Sequence, residues 1–135
     1  MNIISASSIT ASALNAERMR LDVVGENIAN ANTTQGPDGN AYQRKTVAFE
    51  TALDPFTKNS QGVRVSSISK DQTPGASISD PSHPHADANG MVSMPNVNIA
   101  FEMVDLIAAT RSYEANLAVI RNSRQMATQA LSIGR

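Results

Sequence analysis

The stretch DPSHPHAD, residues 80–87, gathers the densest set of possible metal donors in the chain: Asp80, His83, His85 and Asp87. An HxH pair beside carboxylates is a donor set that zinc accepts. Loose His/Asp groupings in loops are weak signals, and Pro81 and Pro84 stiffen this one into a polar surface loop. The surface-loop reading is preferred, so no metal and no other cofactor is expected. Arg111 and Glu114 in RSYEANL (111–117) stand at the spacing of a helix-surface ion pair, worth roughly a few tenths of a kcal/mol, rather than of a catalytic pair. Gly36, Gly39 and Gly62 complete neither GxxxxGK nor GxGxxG, so no phosphate loop is expected. A G-x-S-x-G elbow is missing too, as is any supported Ser-His-Asp set. With no cysteine there is neither a disulfide frame nor a thiolate. No catalytic residue emerges, and the chain is read as a non-enzyme.

Composition narrows the class further. At 135 residues the chain is long enough for one domain and not comfortably two. Lys and Arg total 11 against 12 Asp and Glu, which argues against binding nucleic acid or an anionic membrane through net charge. No apolar run is long enough to span a bilayer. The start, MNIISASSITASAL, lacks a basic n-region and a continuous apolar h-region, so it is not expected to be a cleaved Sec signal. Large core residues are scarce: there is no Trp, and the aromatics are Phe49, Phe56, Phe101, Tyr42 and Tyr113. Aromatics supply much of the buried area of a compact core. Ala, Ile, Val, Leu and Met carry the apolar content instead, which suits helical seams better than a thick core.

Two elements could present such seams. Residues 3–31 read as one long helix, about 40 Å at 1.5 Å per residue. Leu14, Leu21 and Ile28 fall seven apart, with Val24 and Ala31 three further on, as in a heptad seam beginning near Ile3. Ser7, Thr10 and Glu17 interrupt it. Gly25 marks either a close approach by a neighbour or a tolerated glycine costing about 1 kcal/mol against Ala. NIANANTTQG (27–36) ends the helix, because asparagine side chains compete for backbone bonds and Thr33, Thr34, Gly36 and Pro37 stop it. A second helix is expected over 96–132, capped by Asn96 or Asn98, with Glu102 and Asp105 as first-turn partners of its dipole. Its seam steps 4-3-4-3 through Ile99, Met103, Leu106, Thr110, Tyr113, Leu117, Ile120, Arg124, Ala127 and Leu131. Gly134 follows as a C-terminal signal.

Residues 32–97 have a different character. KTVAFETAL (45–53) alternates weakly and GVRVSSI (62–68) clearly, GMVSMP (90–95) reads as one more short strand, and 72–90 is turn-rich. The fold class expected is mainly α: long terminal helices pairing as an antiparallel coiled coil around a small β-rich or extended middle. The helical part covers 1–31 and 98–135 and the middle 32–97. Two helices bury one narrow seam each. Further apolar strips (Ile4, Ala11 and Ala16 on the first; Ile107, Ala108, Ala115 and Ala118 on the second) point to a subunit that completes its core with neighbours.

The two ends also carry motifs. LDVVGENIANANTT (21–34) resembles the N-terminal signature of bacterial flagellar axial proteins, with Asn27, Asn30 and Asn32 in its asparagine-rich run. DPSHPHADANGMVSMPNVNIAFEMVDLIAATRSYEANLAVI (80–120) is similar to the flagellar basal-body rod protein family, at Pro95, Asn96 and Asn98 and again at Tyr113, Glu114 and Asn116. AYQRKTVAFE (41–50) fits as well. The short insert between the ends resembles the proximal rod subunits more than the larger distal rod and hook proteins.

The resemblance implies a structural subunit of the proximal rod, the drive shaft of the flagellum. Such subunits are exported unfolded without a cleaved signal, polymerise across the periplasm and line the export channel. Their partners would be other rod subunits, copies of the chain itself, the membrane ring and the export gate, with no nucleic acid and no small-molecule substrate. Leu14, Leu21, Val24, Ile28, Met103, Leu106, Tyr113, Leu117 and Ile120 would be the subunit-packing residues. A different class, a soluble helical-hairpin adaptor or export chaperone, would use the same seams.

Overall fold

The computed structural model describes residues 3–53 and 60–133, with side chains from 7 to 53 and 60 to 132. Two long helices flank a small β region: α1 (Ile3–Ala29), β1 (Lys45–Leu53), β2 (Ser60–Lys70), β3 (Ser77–Ser79), β4 (Met91–Ser93) and α2 (Ile99–Ile133). The helices have 27 and 35 residues, so the class is mainly α. Gly134 lies outside the described residues, as do Phe56 and the side chain of Ile4.

β1 and β2 pair as one two-stranded sheet and β3 and β4 as another. The smaller sheet is antiparallel, with Ser77 opposite Ser93, Ile78 opposite Val92 and Ser79 opposite Met91. Within the turn-rich 72–90, β3 is a short strand that the sequence reading did not single out. Its three residues, SIS, are too short to show a period, and only pairing with β4 makes them a strand.

The chain forms two compact units: Met1–Leu21, Val47–Ser67 and Ile107–Arg135; and Asp22–Thr46 and Ile68–Leu106. In the first, the buried positions include Ala16, Gly62 and Ala109. The N–H of Val63 donates to Ser12 Oγ (3.0 Å), and a Cβ at Gly62 would lie 2.1 Å from that same oxygen. Gly62 also has φ of 131°, so strand β2 meets α1 where only glycine fits. In the second unit, Val23, Val24, Ala31, Val92 and Pro95 are buried.

The packed stripe of each helix coincides only in part with the expected seam: Val24 and Ala31 belong to both, and the other buried positions lie beside it. On α1 it runs through Ala16, Val23, Val24 and Asn27, and Ala31 just beyond the helix continues it, with Leu14, Leu21 and Ile28 half-buried at its edges. On α2 the buried positions are Glu102 and Ala109, seven apart, while Leu106, Tyr113, Leu117 and Ile120 are half-buried. Met103 and Ile99, expected in the seam, are exposed within this chain, as are Phe101, Val104 and Ile107. Small and polar side chains occupy the centre because they let backbone and hydrogen-bonding groups approach closely. A seam drawn through large residues misses them. Apart from its own helix backbone, no atom of the described residues lies within 4 Å of where a Cβ on Gly25 would stand.

Candidate functional site

The most elaborated constellation lies in the second unit and is built on Asn27, from the last turns of α1. Asn27 is 1% exposed. Its amide Nδ2 donates to the Lys45 carbonyl (2.9 Å) and to Glu102 Oε2 (3.0 Å). Its Oδ1 accepts from the Tyr42 hydroxyl (2.9 Å) and from the Lys45 N–H (2.9 Å). Two donors and two acceptor sites are all that an asparagine side chain has, and all four are used.

Glu102, from the first turn of α2, is 0% exposed. A buried carboxylate is costly unless paired and hydrogen-bonded. It meets both conditions: Arg44 Nε donates to Oε1 at 2.6 Å while Asn27 holds Oε2. Arg44 also reaches Asp105 at 3.5 Å. The sequence placed Glu102 as a partner of the helix dipole. It does stand in the first turn of α2, and the structure also makes it the centre of a buried network, flanked in sequence by exposed Phe101 and Met103.

Arg44 is itself held by its backbone. Its N–H donates to Asn96 Oδ1 (2.7 Å) and its carbonyl accepts from the Asp71 N–H (2.7 Å). Asn96 Nδ2 donates to the carbonyls of Asp71 (3.1 Å) and Thr73 (2.8 Å). Asn96 therefore straps the segment before α2, and Asn98 is the helix cap: its Oδ1 accepts from the N–H groups of Ala100 (3.0 Å) and Phe101 (3.3 Å). Buried Pro95 precedes them. At the other end, Asn30 Nδ2 donates to the Glu26 carbonyl (2.9 Å) and its Oδ1 accepts from Thr33 Oγ1 (3.1 Å), closing the last turn of α1. Asn32 and Glu114 are exposed, and Asn116 is half-buried.

Electrostatics follow from this packing. Burial, helped by the negative charges of Glu26 and Glu102, pushes the Tyr42 hydroxyl up to about 12. It stays protonated and remains a donor to Asn27. Asp71 is held below the ordinary carboxylate range by the hydroxyl and N–H of Thr73, Asp80 by Ser82, and Asp87 by the N–H groups of Met91 and Asn89.

The histidine loop is occupied with its own turn. The His85 N–H donates to His83 Nδ1 (3.0 Å), and His85 Nδ1 lies 2.8 Å from Thr34 Oγ1. Asp80 Oδ1 accepts from the N–H and hydroxyl of Ser82 (3.1 and 2.7 Å), and Asp87 Oδ1 from the N–H groups of Asn89 and Met91 (2.8 and 2.9 Å). Among the described residues no three His, Cys, Asp or Glu side chains converge to hold a metal ion.

The buried network has no free nucleophile and no poised base; every polar atom of Asn27 is spent on fastening. What it can do chemically is fix the last turn of α1, the start of β1 and the first turn of α2 to one another. The sequence marked Asn27 as a helix-ending asparagine and Asn96 as an alternative cap to Asn98; Asn98 is the cap, Asn27 and Asn96 fasten distant segments instead, and Arg44 and Tyr42 were missed. The available signal was a charged residue inside an apolar run, Phe101-Glu102-Met103-Val104, with a lone arginine in the segment leading to β1.

Comparison with known proteins matches both ends. Residues 9–37 match the model of the flagella basal body rod protein family, and residues 88–133 that of the flagellar basal body rod FlgEFG protein C-terminal family. The flagellar basal-body rod protein FlgC of Borreliella burgdorferi is 40% identical over 149 aligned positions, covering 98% of each chain. That of Salmonella typhimurium is 40% identical over 134, covering 99% of each, and that of Bacillus subtilis 40% over 143, covering 95% of each. Asn27 and Glu102 fall inside the two matched stretches, and Tyr42 and Arg44 in the segment between them.

Proposed function

The chain belongs to the FlgC family of flagellar basal-body rod proteins, and from that premise we propose that it polymerises through its terminal helices into the proximal rod. It is a structural subunit, not an enzyme, and it assembles with other rod and basal-body components. In the proposed mechanism α1 and α2 pair as an antiparallel coiled coil and complete their core with helices of neighbouring subunits. The assembled rod crosses the periplasm, transmits torque and encloses the export channel. The subunit itself is delivered through the flagellar export gate without a cleaved signal, and the rod's surroundings include the membrane ring.

One observation supports this reading above the others. α2 leaves large apolar side chains in water along its length, with Phe101 69% exposed and Leu131 75% exposed. Large apolar side chains left exposed in this number are the kind of surface that partners cover. The proposed packing residues are Leu14, Leu21, Val24 and Ile28 on α1, and Met103, Leu106, Tyr113, Leu117 and Ile120 on α2; Val24 is already buried within the chain and has little area left to give. Those half-buried within one chain have area left to give to a neighbour, and Met103, 53% exposed, has most.

Phe101→Asp tests the reading without touching the buried network. The subunit is expected to be made and to fold, and the cells are expected to be non-motile with no rod in purified basal bodies. Normal swimming in both Phe101→Asp and Leu131→Asp would overturn assembly through the exposed apolar residues of α2.

A further inference from the structure

Asn89 is the only asparagine in the chain followed by glycine. The pair closes the turn that feeds β4. The Gly90 N–H donates to the Asp87 carbonyl (3.0 Å), and Gly90 has φ of 73°. A Cβ at Gly90 would lie 2.9 Å from Pro81 Cγ, so the position is restricted to glycine by both conformation and space. Asn89 is exposed, and its side chain stands beside the Asp87 carboxylate and helps to hold it charged. The turn itself is held through backbone groups and through Asp87 Oδ1, which accepts from the N–H groups of Asn89 and Met91.

We propose that Asn89 is a site of spontaneous deamidation and isoaspartate formation, and that the folded turn restrains the reaction. The Gly90 amide nitrogen attacks the side-chain carbonyl carbon of Asn89. A C–N bond forms, the bond to the side-chain nitrogen breaks, and ammonia leaves carrying the proton lost by the Gly90 nitrogen. The five-membered succinimide is then opened by water at either carbonyl, giving aspartate or isoaspartate. Nothing is oxidised or reduced, and water is the sole co-reactant. Glycine on the C-terminal side offers the attacking nitrogen no steric shield, which sets Asn89 apart from Asn59 and Asn122, each followed by serine.

In the folded chain the attacking nitrogen is held by its hydrogen bond to the Asp87 carbonyl, so the turn must open before the ring can form. The unfolded chain has no such restraint. Isoaspartate routes the main chain through the side-chain carbon and adds a backbone atom between 89 and 90. That insertion displaces the Gly90 carbonyl from the Asp80 N–H, now 2.9 Å away, and shifts the register of β4 against β3. A chain kept unfolded therefore accumulates a lesion that impairs its later folding.

The test follows full-length protein in mildly alkaline buffer, folded and in denaturant, with peptide mass spectrometry for amide-to-acid conversion and isoaspartyl methyltransferase labelling. Asn89 is expected to convert faster than Asn59 and Asn122 in denaturant, and about tenfold more slowly when folded, the factor expected of one good hydrogen bond. Asp87→Ala, which loosens the turn, is expected to bring the folded rate towards the denatured one. Conversion of Asn89 no faster than the two Asn-Ser sites in denaturant would overturn the site. Equal rates in folded and denatured protein, or no acceleration in Asp87→Ala, would overturn the restraint by the turn.

Discussion

Asn27 and Glu102, 75 residues apart in sequence, share a 3.0 Å hydrogen bond at a point where neither side chain reaches water. The bond joins the end of the first helix to the start of the second. Its geometry makes the asparagine amide irreplaceable by the acid of the same shape. Asn27→Asp would set a second carboxyl against Glu102, and two carboxyls at that distance cannot both ionise. The pair would hold a proton to a pH above the ordinary unfolded carboxylate value. Stability tied to that proton is present at low pH and lost as pH rises. The variant is therefore expected to lose about 3 kcal/mol at neutral pH and to recover part of it in mild acid. Urea midpoints at the two pH values check this; a variant more stable at neutral pH than in acid would contradict it.

Arg44 is the other half of the buried charge. Arg44→Ala leaves the Glu102 carboxylate buried without its 2.6 Å partner, a change expected to cost about 3 kcal/mol. Glu102→Gln on top of Arg44→Ala removes the stranded charge and is expected to restore part of that loss, so the two changes are strongly non-additive. Asp105, 3.5 Å from Arg44 and with its side chain 39% exposed, is a weaker partner. Asp105→Ala is expected to cost less than about 1 kcal/mol. A double-mutant cycle in urea reads all three.

These residues also show how far the sequence could be read. The helices were legible because Leu14, Leu21 and Ile28 repeat every seven residues and α2 keeps a 4-3 rhythm over most of its length. β1 was legible over its whole extent from KTVAFETAL. The buried positions were less so, because a seam is found by following large apolar residues, and here they include Ala16 and Ala109 in one unit and Asn27 and Glu102 in the other. Local spacing says nothing about a bond between residues 27 and 102. Tyr42 and Arg44 looked like loop residues since their roles come from partners 15 and 58 positions away. The resemblance to rod proteins marked Asn27 and Asn96 as motif residues, but the physical reason for them is four filled hydrogen-bond positions in one case and a strap across residues 44, 71 and 73 in the other.

Tyr42 gives the network a limit at high pH. Its folded hydroxyl ionises near 12 against about 10 when unfolded. A raised folded value means the stabilisation is complete below pH 10 and is lost as pH climbs through 12. Half-exposure of the ring discounts the size of the effect but not its direction. Thermal midpoints are expected to fall between pH 10 and 12 in the parent protein and to fall less in Tyr42→Phe, which lacks the titrating group. The same alkaline slope in both proteins would remove Tyr42 as its source.

Two glycines on the α1 side offer opposite outcomes from one substitution. Gly62→Ala adds a Cβ 2.1 Å from Ser12 Oγ in a backbone at φ 131°, where side chains are rarely tolerated. It is expected to cost more than about 2 kcal/mol, through strain and the displaced bond from Val63 to Ser12. Gly25→Ala sits in mid-helix with open space around the new carbon and is expected to stabilise the separate subunit by about 1 kcal/mol. The same glycine can nevertheless be needed in the filament, where a neighbouring helix would come closest to an exposed position without a side chain. Denaturation of the purified subunit and swimming of the cells separate the two roles. A more stable subunit in non-motile cells would place a neighbour against Gly25; a more stable subunit in fully motile cells would leave it as a glycine the helix merely tolerates.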